Sequence, residues 1–106
     1  MYANVRQYRI SRDRIDETMH LAYEHLADRL ADEPGFVAYE LVATEDGSIC
    51  SMTIFDDRDG AERSQRIAGE FVRDHLSGIE IESTSTLTGE VMVSRARERV
   101  LEAAHH

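Results

Sequence analysis

The sequence predicts a single α+β domain of βαββαβ order, with a four-stranded antiparallel sheet and two helices on one of its faces. Three observations lead there. First, a helical pattern gives way to a strand pattern within Asp32-Glu33-Pro34-Gly35-Phe36. Pro34 steers the residue before it away from helical torsions, and Gly35 accepts the left-handed geometry common at helix ends. Second, Asp46-Gly47 lies between two apolar runs as a hairpin signal, so the strands on either side are antiparallel neighbours. Third, apolar residues recur at helical spacing in two separate stretches.

Tyr2 to Ile10 reads as strand one by its alternation and its aromatic and β-branched content, although Arg6, Gln7 and Arg9 make it polar for a strand. Ser11 and Asp13 offer N-caps to a helix running to about Asp32, in which Ile15, Met19, Ala22, Leu26 and Leu30 form one stripe and the opposite face is acidic. Phe36 to Thr44 is strand two and Ile49 to Phe55 strand three. Asp56-Asp57-Arg58-Asp59 supplies a cap and negative charge at the start of a second helix. Its face continues through Ala61, Gln65, Ala68, Phe71 or Val72, and His75 or Leu76, and Ser77-Gly78 ends it. The last strand lies within Glu82 to Val93. Residues 1–94 are thus expected to form one domain, with 95–106 a charged, helix-compatible tail whose terminal His105-His106 has the look of an expression-tag remnant.

Right-handed crossovers put the strands in the order 4-1-3-2, the ferredoxin-like arrangement. Strand two is apolar on both sides, with Val37, Tyr39 and Leu41 set against Phe36, Ala38 and Val42. A strand apolar on both faces is buried on both faces. The simplest cover for the face without helices is the same face of a second copy, so a homodimer through the open sheet face is expected.

Twelve Lys and Arg against 21 Asp and Glu give a formal charge of -9. Such a surface repels phosphate backbones and anionic lipid, so nucleic acid and membrane are not expected partners. Cys50 is the only cysteine, which excludes an intrachain disulfide and makes the cytoplasm the expected compartment. The chain opens on a strand pattern, and no run of 18 apolar residues occurs, so neither export nor membrane insertion is expected. His20 and His25 are five apart and do not share a helix face, so no metal site is expected.

Several segments together resemble the dimeric α/β-barrel superfamily, and within it the antibiotic-biosynthesis-monooxygenase-like branch. They are the polar first strand Tyr2-Ala3-Asn4-Val5-Arg6, the helix exit Glu33-Pro34-Gly35-Phe36 followed by Tyr39, and Ile54-Phe55-Asp56-Asp57. Asp59-Gly60-Ala61, Ala68-Gly69-Glu70-Phe71-Val72 and Gly89-Glu90-Val91 extend the likeness over about Tyr2 to Ser94. The resemblance implies a dimeric α/β barrel and oxidation of a small electron-rich aromatic or quinol by dioxygen, with no cofactor. Active branches of that superfamily commonly place a tryptophan beside a pocket asparagine; this chain has no Trp, which disfavours haem degradation.

Asn4, Arg6 and Tyr8 alternate on one face of strand one. If Val5 faces the helices, they point into the interior between two sheets, where an amide, a guanidinium and a phenol would orient a phenolic substrate and stabilise its oxyanion. His75, near the apolar face of the second helix, has the titration range of a general base. Asn4, Arg6 and His75 are therefore the candidate catalytic residues, and Tyr8, Tyr39 and Phe71 the candidate substrate-binding ones. Each also has a structural alternative: Arg6 paired with an acid across the dimer, Asn4 satisfying a backbone group, Tyr39 packed in the core, and His75 partly exposed beside the helix dipole. Cys50 reads as an inert buried thiol inside an apolar strand. The alternative to the enzyme is a non-catalytic small-ligand-binding or assembly protein of the same fold.

Overall fold

The computed structural model describes residues 1–95; the expected tail from residue 96 onward lies outside the described residues. Four strands, β1 (Tyr2–Ile10), β2 (Phe36–Ala43), β3 (Ser48–Phe55) and β4 (Ile81–Glu90), form one sheet in the order β2-β3-β1-β4, with every neighbouring pair antiparallel. The expected strand order is met. The helices are α1 (Ile15–Ala22), α2 (Asp28–Ala31) and α3 (Arg58–His75). A short 3-10 turn (Arg12–Arg14) leads into α1, and a π-helical turn (Tyr23–Ala27) joins α1 to α2, so the expected first helix is one rod with a widened turn in its middle.

Met19, Ala22, Leu26 and Leu30 lie on one face of this rod and are buried against the sheet. In α3 the Asp57 carboxylate caps the helix by accepting from Gly60 N at 2.8 Å, and Gly60, Ala61, Ser64, Ile67 and Phe71 face inward. The helix comes so close to the sheet here that a Cβ on Gly60 would lie 2.6 Å from the ring of Phe55. Glycine is therefore required at this position for want of space. At the β2–β3 turn Gly47 has φ +90° and its carbonyl accepts from Ile10 N at 3.0 Å. The Asp46 carboxyl beside it is held below its ordinary range by the Thr44 hydroxyl and by Ser48.

Strand register decides which side chains share a face. Four rows cross the sheet on the helix side: Phe36–Phe55–Tyr2, Tyr39–Thr53–Asn4–Thr88, Leu41–Ser51–Arg6–Thr86 and Ala43–Ile49–Tyr8–Ser83. The other face carries Ala38–Ile54–Ala3–Gly89, Glu40–Met52–Val5–Leu87 and Val42–Cys50–Gln7–Ser85. A bulge between Phe36 and Ala38 shifts the start of β2, so Phe36, not Val37, joins Tyr39 and Leu41 under the helices. The expected pairing of Val37 with those two residues is corrected accordingly. The open face remains largely apolar, with Met52 36%, Val42 54% and Leu87 63% exposed in the single chain.

Candidate functional site

The even-numbered residues of β1 face the helices, so the expectation that Asn4, Arg6 and Tyr8 point between two sheets is corrected. Val5 lies on the open face with Met52 and Leu87, while Asn4 and Ile10 are buried beneath α3 and the α1–α2 rod. Hydrophobic alternation alone points the wrong way here, because the polar side of β1 is the one the helices cover.

Beneath the helices is a cavity of about 60 Å³. Its floor is the sheet, through Arg6, Tyr8, Tyr39, Leu41, Ile49, Ser51 and Thr53, and its roof includes Ala22, Leu26, Leu30 and Phe71. Four of the six expected site residues, Arg6, Tyr8, Tyr39 and Phe71, thus meet in one enclosure, inside one protomer. The hydroxyls of Ser51, Thr53 and Thr18 also line it. Sequence reasoning passed over them, although Ile49, Ser51, Thr53 and Phe55 alternate on one side of β3 and the buried ends of that series signal which way its middle points.

The other two residues lie elsewhere. Asn4 is 2% exposed, with each of its hydrogen-bonding positions occupied. Its Nδ2 donates to Ala61 O (2.6 Å) and Ser64 Oγ (2.8 Å), and its Oδ1 accepts from Gln65 Nε2 (3.0 Å) and Thr88 Oγ1 (2.7 Å). A side-chain amide has two donors and two acceptor lone pairs, so nothing is left for a substrate. Asn4 pins α3 to the sheet instead of entering the cavity. His75 is exposed; its ring stacks on that of His25 with centroids 4.3 Å apart and planes 6° apart, and only its inner edge approaches Phe71. The side chain leaves the end of α3 towards the helix rod, too far around the helix to line the cavity. Cys50, expected to be buried, is only half-buried, because its side of β3 is the open face that no helix covers.

Arg6 is the one charged group lining the cavity among the described residues, and no carboxylate or imidazole joins it there. Tyr39 is held neutral: burial among hydrocarbon raises its phenol well above the usual range, the neighbouring Tyr8 adds to the effect, and the Arg6 charge opposes it. Stability that depends on a neutral buried phenol is fully present below the unfolded value of about 10 and is lost as pH climbs above it. Tyr39→Phe is therefore expected to lose less stability than the wild-type chain between about pH 9 and about pH 11. Urea midpoints measured across that range check this, and an unchanged alkaline limb would count against Tyr39 as its source.

A βαββαβ sheet with its helices on one face, a partly open cavity beneath them and a largely apolar open face define a ferredoxin-like α+β domain. Residues 1–67 match the family model described as antibiotic biosynthesis monooxygenase, and the chain belongs to that family. Among solved structures it is similar to a dimeric ferredoxin-like protein from an uncultured marine organism (16% identity over 91% of this chain and 98% of the other, TM-score 0.71). It is also similar to a candidate antibiotic biosynthesis monooxygenase from Chloroflexus aurantiacus (11% identity, 90% and 96% covered, TM-score 0.69). A third, from Nitrosomonas europaea, carries the same description (11% identity, 88% and 100% covered, TM-score 0.65). At these identities the likeness is one of fold. Comparison with curated proteins finds no match.

Proposed function

We propose that the protein is a homodimeric, cytoplasmic, cofactor-independent monooxygenase-like enzyme that oxidises a small electron-rich aromatic or quinol in the cavity between its sheet and helices. The observation that carries this reading is the cluster of Arg6, Tyr8 and Tyr39 on the floor of a cavity that is otherwise lined by hydrocarbon and the hydroxyl residues Thr18, Ser51 and Thr53, in a domain of this family. Arg6 favours the phenolate over the phenol by its charge, and Tyr39, kept neutral, donates a hydrogen bond to the developing oxyanion. Since no carboxylate or imidazole lines the cavity among the described residues, the phenolic proton passes to water. The electron-rich phenolate then reduces dioxygen. For an anthrone-type substrate one oxygen atom replaces the two hydrogens of the ring methylene as a carbonyl, and the other leaves as water with those hydrogens.

Oxygen uptake with a panel of anthrones and naphthoquinols tests the reading. Turnover above the uncatalysed rate is expected for at least one of them, with kcat lowered about 100-fold in Arg6→Gln, the scale of removing one oxyanion donor. No turnover with any would remove the enzyme reading. A cavity of about 60 Å³ is small beside the roughly 300–1,000 Å³ of most small-molecule pockets, and this favours a second reading, a non-catalytic protein of the same fold that binds only a very small ligand or serves as an assembly unit.

The dimer rests on the open sheet face, whose rows of Val5, Met52, Ile54, Val42 and Leu87 form an apolar patch of the kind that marks an interaction surface. Met52→Glu sets a second carboxylate beside Glu40 in that patch and is expected to convert a dimer into a monomer. Light scattering decides it: a wild-type chain that is already a monodisperse monomer at micromolar concentration would defeat this part of the proposal.

A further inference from the structure

Arg6 occupies the middle of the row Leu41–Ser51–Arg6–Thr86, flanked by hydroxyl-bearing neighbours and roofed by hydrocarbon. Among the described residues its guanidinium forms no ion pair, although the acidic chain supplies carboxylates to Arg14, Arg29, Arg63 and Arg73 elsewhere. Arg6 is half-buried in a partly open cavity, and a charge partly withdrawn from water beside hydrocarbon gains from a counter-charge or hydrogen bonds that meet it. The planar fork of arginine matches a carboxylate through two parallel N–H donors.

Two further features narrow the ligand. One cation set against a hydrocarbon roof of Leu26, Leu30 and Phe71 suits a monoanion with an apolar tail better than a phosphate or sulfate, whose second charge would stay unmatched. A volume of about 60 Å³ corresponds to roughly four to six water-sized groups at the 10–15 Å³ that one water needs. We infer that the cavity binds a short-chain organic monocarboxylate, its carboxylate on Arg6 with the Tyr8 and Tyr39 hydroxyls nearby and its alkyl chain against Leu26, Leu30 and Phe71. The inference rests on the preceding reading only in taking this cavity as the ligand site. Such a carboxylate occupies the position where a phenolic substrate would develop its oxyanion, so it also blocks that substrate.

The test is a titration of the ¹⁵N-labelled chain with butyrate and with butyramide, its neutral isostere, at constant ionic strength, followed by NMR. Butyrate is expected to give saturable shifts at Arg6, Leu26, Leu30 and Phe71 and to bind at least tenfold more tightly than butyramide. Arg6→Gln, shown to be folded by the same spectra, is expected to lower butyrate affinity tenfold or more and to leave butyramide within twofold. Equal affinity for the two compounds, shifts confined to other surfaces, or undiminished butyrate binding in Arg6→Gln would overturn the inference. Should Arg6→Gln not fold, the comparison of butyrate with butyramide on the wild-type chain decides alone. Oxygen uptake separates this from the oxidation: butyrate binding without quinol turnover keeps the carboxylate site and removes the enzyme, and quinol turnover without butyrate binding does the reverse.

Discussion

Phe55→Ala is expected to cost about 3–5 kcal/mol of folding stability, the range for emptying a fully buried aromatic site. Phe55 is 0% exposed, sits at the end of β3 edge-on to Phe36 with ring centroids 5.8 Å apart, and supports the first turn of α3 at Gly60. Collapse cannot heal the void cheaply, since the contact beneath Gly60 is backbone against ring. Phe55→Leu, which retains most of the volume, is expected to cost less than half as much. Chemical denaturation reads both, and a loss below about 1 kcal/mol for Phe55→Ala would show that the site relaxes around the deletion.

Asn4→Ala is expected to cost about 3 kcal/mol, because it empties a buried site and takes the amide donors from the buried Ala61 carbonyl and Ser64 hydroxyl, a buried group left unpaired costing about 1–3 kcal/mol, while the half-buried Gln65 and exposed Thr88 can turn to each other and to water. For a domain of this size that lowers Tm by more than about 10 °C. Asn4→Asp, almost identical in shape, is expected to be at least as damaging at neutral pH. The atom replacing Nδ2 would then face Ala61 O at 2.6 Å as an acceptor, with a charge in a buried site. Protonation restores one donor, so the deficit of Asn4→Asp shrinks as pH falls, whereas that of Asn4→Ala does not. Thermal melts at neutral and acid pH distinguish the two, and an Asn4→Asp variant as stable as wild type at neutral pH would disprove the pin. Because Asn4 and Phe55 hold the same turn of α3, the double variant should lose less than the two single losses added together.

These two positions also show how far the sequence could be read. Strand one from Tyr2 to Ile10, the Pro34-Gly35 exit, the Asp46-Gly47 turn and the Asp57 cap were legible because each depends on local torsions or on periodicity within one segment. Strand order followed from element order and handedness. The side of the sheet on which Asn4, Arg6 and Tyr8 lie was not legible. Burial normally selects the more apolar side of a strand for the helices, and here a fully hydrogen-bonded amide, a guanidinium and a phenol were covered in its place. The partners of Asn4 stand 57 to 84 residues away in sequence, and no local signal announces a bond of that range.

His75 was misplaced for a related reason. Helical periodicity assigns a face within about one residue in either direction, and Leu76, not His75, turned out to be the buried neighbour. The bulge that exchanged Phe36 for Val37 is likewise a matter of one residue, inserted where β2 leaves the Pro34-Gly35 turn.

The sequence by itself determined the elements, their order, the sheet topology and the residue types available for chemistry, since these rest on propensity, punctuation and chain handedness. Only the tertiary structure decided that Arg6, Tyr8, Tyr39 and Phe71 share a cavity inside one protomer, that Asn4 is consumed in holding α3, and that His75 stands outside. The physical reason is parity: a strand has two faces, and which of them a helix covers is set by the packing and hydrogen bonds of distant residues, not by the strand's own pattern.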